Sequence, residues 1–181
     1  MGLDMYLYRK TYIKSWGDEE EFKITLKHKG KNIKLTNPKE ISEEVGYWRK
    51  ANQIHNWFVE NVQDGEDNCQ PYEVSRRQLK ELLNLCLEVK EKAILISGKV
   101  VTGMVYEKGE SRKQEQDGLI IENAEEIEEL LPTTSGFFFG GTEYDEFYMN
   151  DINETIEILE KVLNEDSPEG VSQWYEYRSS W

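Results

Sequence analysis

ISEEVGYWRKANQIHNWFVENV, residues 41–62, is the stretch on which the fold turns. Wound at about 100° per residue, Val45, Tyr47, Trp48, Ala51, Ile54, His55, Phe58, Val59 and Val62 fall within an arc of about 180°. That spacing predicts a helix over 41–62, or a helix that starts only after a break at Gly46. Asn37-Pro38-Lys39-Glu40 supplies a start for the longer version, with asparagine as cap, proline in the first turn and glutamate three residues after the cap. In either version His55 sits in the middle of the apolar arc. Asn52 lies one turn earlier, and Arg49, Asn56 and Glu60 border the same face.

On the amino-terminal side, MGLDMYLYRKTYI (1–13) alternates Leu3, Met5 and Leu7 against Asp4, Tyr6 and Tyr8, the pattern of a strand. Residues 22–35, FKITLKHKGKNIKL, read as a hairpin turning through KGKN. Downstream, Ser75 and Gln78 make a capping box ahead of the stripe Leu79, Leu82, Leu83, Cys86, Val89. Residues 93–106 are rich in β-branched side chains but interrupted by Gly98 and Gly103. KGESRKQEQDG (108–118) reads as an exposed polar loop. AEEIEELL (124–131) is a short amphipathic helix ended by Pro132, and FFFGG (137–141) follows as a strand. Successive strand residues alternate sides, so Phe137 and Phe139 would share one face and Phe138 the other. Asp151 and Glu154 form a further capping signature, with Ile152, Ile156, Leu159, Val162 and Leu163 on the inner face. SQWYEYRSSW alternates as a closing strand over 173–179. These elements describe a single α+β domain over 1–181, a mixed or antiparallel sheet packed against three to four helices.

The net charge of −14 is unevenly spread. Residues 1–58 carry eleven Lys/Arg against eight Asp/Glu, whereas the acidic half between Glu122 and Glu169 carries fifteen acids and one base, Lys161. An acidic surface of that kind repels nucleic acid and suits a basic protein groove, although solubility alone also explains it. Cys69 and Cys86 are the only cysteines, too few and too far apart for a zinc site, and read as free thiols of a cytoplasmic protein. The amino terminus has no apolar leader, and no segment is long enough to span a membrane.

No phosphate loop, dinucleotide fingerprint, HExxH or serine elbow is present, and neither a cofactor nor a metal is expected. A carboxylate site for Mg²⁺ from Asp145, Glu146 and Asp151 carries little weight in so acidic a chain. His55 with Arg49 has the parts for metal-independent phosphodiester cleavage, the imidazole as general base and the guanidinium steadying the transition state. Ser135 and Arg178 could complete such a cleft. Set against this, and favoured over it, His55 reads as a buried histidine held by Asn52 or a tyrosine and organising the core. Arg49 can pair with Glu44 or Glu60, Ser135 can bond within its turn, and Arg178 can form a surface ion pair. Phe138, Glu143, Tyr144, Asp145 and Tyr148 are candidates for a partner-binding surface of aromatics among acids, or else for packing.

MGLDMYLY, VGYWRKANQIHNWFV, LLPTTSGFFFGGTEYDEFY and YRSSW together resemble the segments of a widespread group of small phage and bacterial proteins, over nearly the whole chain. The group brings no mechanism with it. At the level of size, charge and origin the chain is similar to the anti-CRISPR inhibitors of Cas9, which implies binding to a nuclease or to its guide RNA. The residues themselves carry the alternative, a small metal-independent phosphodiesterase or ribonuclease using His55 and Arg49, with guide RNA as one candidate substrate.

Overall fold

The computed structural model describes residues 2–13, 24–36, 38–107 and 110–181. Strand β1 (Asp4–Tyr12) pairs on one side with β4 (Glu40–Arg49) and on the other with β8 (Gln173–Ser180). The short β5 (Tyr72–Val74) pairs with the far side of β8, completing an antiparallel sheet in the order β4-β1-β8-β5. Between these strands run β2 (Leu26–His28), β3 (Lys31–Ile33), β6 (Leu95–Glu107) and β7 (Glu110–Ile121). Four helices lie among the described residues: α1 (Asn52–Val62), α2 (Arg76–Lys92), α3 (Ala124–Leu130) and α4 (Glu146–Asn164). The chain is thus a single α+β domain.

One face of the sheet supplies Met5, Leu7, Trp48, Val74, Tyr175 and Tyr177, all buried beneath Ile54, Phe58, Leu79, Leu82, Ile152, Ile156 and Leu159 of the helices. Phe58 stacks on Tyr177 with ring centroids 3.8 Å apart. Trp48 donates its indole N–H to Thr155 at 2.9 Å, tying β4 to α4. The opposite face carries Asp4, Tyr6, Tyr8, Tyr47 and Arg178, in register across β4, β1 and β8.

The stretch 41–62 divides into a strand and a helix, and so does not form the helix expected from residue 41. Residues 40–49 pair along the whole of β1, with a bulge where Leu7 faces Gly46 and Tyr8 faces Glu44. Val45 is the extra residue. The bulge shifts the inward positions from odd to even numbers, which destroys period-two alternation and leaves a pattern that imitates a helix. Gly46 does not break a helix; it admits one, since a Cβ there would lie 2.8 Å from Ile158 Cγ2 of α4. The break falls at Lys50, in the left-handed region at φ 63°. Of the expected helix start, Asn37 lies outside the described residues, and Glu40 already belongs to β4.

The first hairpin is shorter than 22–35: β2 and β3 pair from Leu26↔Ile33 to His28↔Lys31, and residues 22–23 lie outside the described residues. From Glu110 onward the polar run is no loop, since those residues belong to β7, which pairs with β6 in a long two-stranded arm; residues 108–109 lie outside the described residues. Its charges hid it, because most residues of this arm face water and need no apolar alternation, Val100 and Ile121 being buried exceptions. Ser75 caps α2 through a complete capping box with Gln78. Helix α4 begins earlier than Asp151: the cap is Asp145, whose carboxylate accepts from the N–H groups of Phe147 and Tyr148. FFFGG is not a strand but part of an irregular segment, 132–144, between α3 and α4. No helix of the described residues is long and apolar enough to cross a membrane.

Candidate functional site

Segment 132–144 is fastened to the first residue of α1. Asn52, buried, accepts from Thr134 N–H at 2.9 Å and donates to the carbonyls of Gly141 at 2.7 Å and Phe139 at 3.4 Å. Thr133 N–H donates to the Tyr144 hydroxyl at 3.1 Å, and Leu3 N–H to the Phe138 carbonyl at 3.4 Å. The three phenylalanines part company as a result. Phe139 is 6% exposed, while Phe137 and Phe138 are 74% and 51% exposed and pack on each other at 4.1 Å. Phe138 sits at φ 65°, so strand-like alternation does not apply.

Phe139 meets His55 edge-on at 5.2 Å, and Trp181 at 6.0 Å. His55 is 1% exposed. Its Nδ1 lies 2.8 Å from the Tyr177 hydroxyl, and its Nε2 lies 3.0 Å from Asp67 Oδ2. An ionised carboxylate can only accept, so Nε2 carries the proton and Nδ1 accepts from Tyr177. The other oxygen of Asp67 accepts from the Trp181 indole at 3.0 Å. Burial holds the Tyr177 hydroxyl far above the ordinary tyrosine range, so it stays a donor. Of the two readings of His55, the geometry is that of the buried histidine, held by a tyrosine as expected. Asp67, twelve residues on, is a partner that helical spacing could not point to.

The proposed catalytic four do not converge. His55 is sealed in the core, and Ser135 is exposed on segment 132–144. Arg178 lies on the opposite face of the sheet, across from Tyr6 in the ladder. Arg49 faces solvent 3.5 Å from Asp4, its closest ion pair. The surface expected around Tyr144, Asp145 and Tyr148 is corrected as well. Asp145 and Tyr148 are buried, the first capping α4 and the second donating to the Leu131 carbonyl at 2.9 Å. Tyr144 packs on Tyr148 at 5.0 Å. Short apolar runs draw such tyrosines inward once their hydroxyls find partners. Phe138 and the partly exposed Glu143 remain at the surface, Glu143 bound to Lys113 at 2.8 Å.

Several of these residues nevertheless border one cavity of about 390 Å³. Arg49, Lys50 and Gln53 come from the β4–α1 junction, Val101 and Thr102 from β6, and Thr133, Gly140, Gly141 and Glu143 from segment 132–144. Asp145, Phe147, Tyr148, Asn150 and Asp151 come from the start of α4. Backbone strain gathers at its edge. Lys50 is left-handed, and Gly140 at φ 98° lies where a Cβ would come within 3.2 Å of Lys50. Non-glycine residues in that region cost on the order of 1 kcal/mol and collect at functional sites.

The acids of the cavity differ in state. Glu143 is lowered by its bond to Lys113, and Asp145 is raised by burial against the pull of its two capping N–H groups. Asp151 is pushed up to about 7, chiefly by burial, with Gln53 drawing it back and the charges of Glu154 and Asp145 adding to the rise. Gln53, only 2% exposed, donates to Asp151 Oδ2 at 3.0 Å. Among the described residues the stranded buried side-chain atoms are Gln63 Oε1 and Ser179 Oγ, whereas Gln53 Oε1 and Asp151 Oδ1 are not stranded although no protein group bonds either. Sequence spacing could not find this pair, which joins residues 98 positions apart.

No three His, Cys, Asp or Glu side chains among the described residues are grouped to hold a metal ion. Of the carboxylates considered for Mg²⁺, Asp145 caps α4 and Glu146 accepts from Leu119 N–H at 3.0 Å. No protein-family model, no curated protein and no solved structure matches this chain.

Proposed function

We propose that this protein acts by binding, as an inhibitor of the anti-CRISPR kind made by a phage or mobile element in the cytoplasm of its bacterial host. Its target is a Cas9-type nuclease or that nuclease with its guide RNA. One observation carries the binding reading: Phe137 and Phe138 stand exposed on a segment that Asn52 fastens at both ends. An exposed aromatic pair on a held backbone has the form of an interface anchor, because little ordering entropy remains to be lost on association. Acids surround the anchor along the chain, with Glu125, Glu126, Glu128 and Glu129 exposed just before it and Glu143, partly exposed and paired with Lys113, just after. That charge complements a basic nucleic-acid channel. The hydrolytic reading has no such support, since both ring nitrogens of His55 are engaged within the core.

Salt-titrated binding to guide-free and guide-loaded Cas9 tests the target. Association that weakens with salt, and that drops by about a hundredfold on Phe137→Ala with Phe138→Ala, is the expected result. Failure to associate with either form at low salt removes this nuclease. Undiminished binding by the double variant removes the aromatic anchor.

A further inference from the structure

The cavity at the β4–α1 junction is lined by two cationic side chains, by an amide–carboxyl pair and by an aromatic ring, none of them part of the partner surface proposed above. Its cations are Arg49, paired at 3.5 Å to Asp4 and bonded to Tyr47, and Lys50, which has no ion-pair partner among the described residues. Guanidinium and ammonium side by side suit a phosphate. Gln53 and Asp151, also in its lining, are joined to each other by one hydrogen bond that leaves Oε1 and Oδ1 free of protein partners among the described residues. Neither oxygen is among the buried unpartnered atoms, so both stay within reach of water or of a ligand. Phe147 lies one helical turn before Asp151, on the same side of α4, and its ring is partly exposed.

The remaining acids of the cavity are already committed, Glu143 to Lys113 and Asp145 to the α4 amino terminus. Lys113 balances the charge of Glu143, and the capping N–H groups draw on the carboxylate of Asp145, so neither acid is bonded to Arg49 or Lys50. The left-handed turn at Lys50 adds to the case. Glycine would take φ 63° without penalty, yet a lysine is held there by its N–H bond to Leu3 O at 2.8 Å and by Asn52 N–H on its own carbonyl at 2.8 Å. A role for the ammonium accounts for that strain.

We propose that this cavity binds a nucleoside monophosphate, its phosphate held by Arg49 and Lys50, its base lying on Phe147 with its polar edge against Gln53 and Asp151. A volume of about 390 Å³ falls at the small end of ligand pockets, which suits one nucleotide rather than a dinucleotide. The carboxyl of Asp151, near neutrality in its titration, can meet either a donor or an acceptor on the base.

Titration calorimetry of the full chain with AMP, GMP, CMP and UMP, and separately with the matching nucleosides and with inorganic phosphate, tests this. At least one monophosphate binds about tenfold tighter than both its nucleoside and phosphate alone. Lys50→Gly, which suits the local backbone and keeps the protein folded, weakens the monophosphate about tenfold and leaves the nucleoside unchanged. Asp151→Asn reorders the four bases while the gain from the phosphate persists. The proposal is overturned by absence of saturable binding to any monophosphate, by phosphate binding as tightly as the nucleotides, or by Lys50→Gly binding them as the unmodified protein does. None of these outcomes bears on nuclease association, so the two proposals fail separately.

Discussion

His55 and Asp151 are both titratable, both drawn into the interior, and both reached from α1, yet their surroundings are opposites. His55 has a partner on each nitrogen, and the chain Tyr177–His55–Asp67–Trp181 leaves no site on the ring for anything else. Asp151 has one partner, Gln53, and a cavity in front of it. The contrast shows that burial and residue type do not mark a functional group. A histidine whose hydrogen bonds are complete is framework, and a carboxyl whose bonds are incomplete is poised for a ligand or a proton.

The largest way to break this contrast is His55→Ala. It opens a cavity and strands the Tyr177 hydroxyl and Asp67, and it is expected to cost about 3–4 kcal/mol in urea unfolding while ligand and partner affinities of the folded fraction hold. Loss of affinity with stability intact would make His55 part of a site after all.

Asp151→Asn gives the next effect, with a sign set by its titration. The folded acid titrates at about 7, against about 3.9 when unfolded. The folded chain therefore keeps its proton across that window while the unfolded chain releases it, so this group's contribution to stability falls as pH rises from about 4 to about 7. Asparagine removes that slope. The variant is expected to be more stable than the unmodified protein by about 2 kcal/mol at pH 8, with the difference vanishing near pH 4, as read from melting curves over pH. A pH-independent difference would mean that Asp151 is ionised throughout.

The smallest effect separates Phe138 from Phe139. Phe138→Asn relieves the left-handed backbone and is expected to raise stability by about 0.5 kcal/mol in the same unfolding assay, while weakening partner binding. A destabilised variant would show that the exposed ring supports the fold.

Much of this molecule could be read before its structure. β1, β8, the capping box of α2 and the short α3 have periods or caps that neighbouring residues alone dictate. β4 could not be, because one inserted residue at Val45 turns a strand pattern into a helical one. β7 could not be either, since it is stabilised by a partner strand rather than by its own apolar face. The cap at Asp145, followed three residues later by Tyr148, was obscured by the Asp-x-x-Glu run at Asp151 six residues on. For the site, Arg49 and Glu143 were visible as charged residues near aromatics. The pairing of Gln53 with Asp151 depends on how α1 and α4 cross, and local spacing holds no trace of it.

The strand order has a consequence for how the chain assembles. β8 lies between β1 and β5, so Asp4 must wait for Ser180 and Tyr72 for Tyr177. β1 and β4 can join early, but the other edge of β1 remains a bare ladder until residues 173–180 arrive. Pairings of such long sequence separation slow folding and leave that edge open to foreign strands. Synthesis of the last strand is therefore the step that closes the sheet, and a ribosome stalled before it would hold a nascent chain in need of a chaperone.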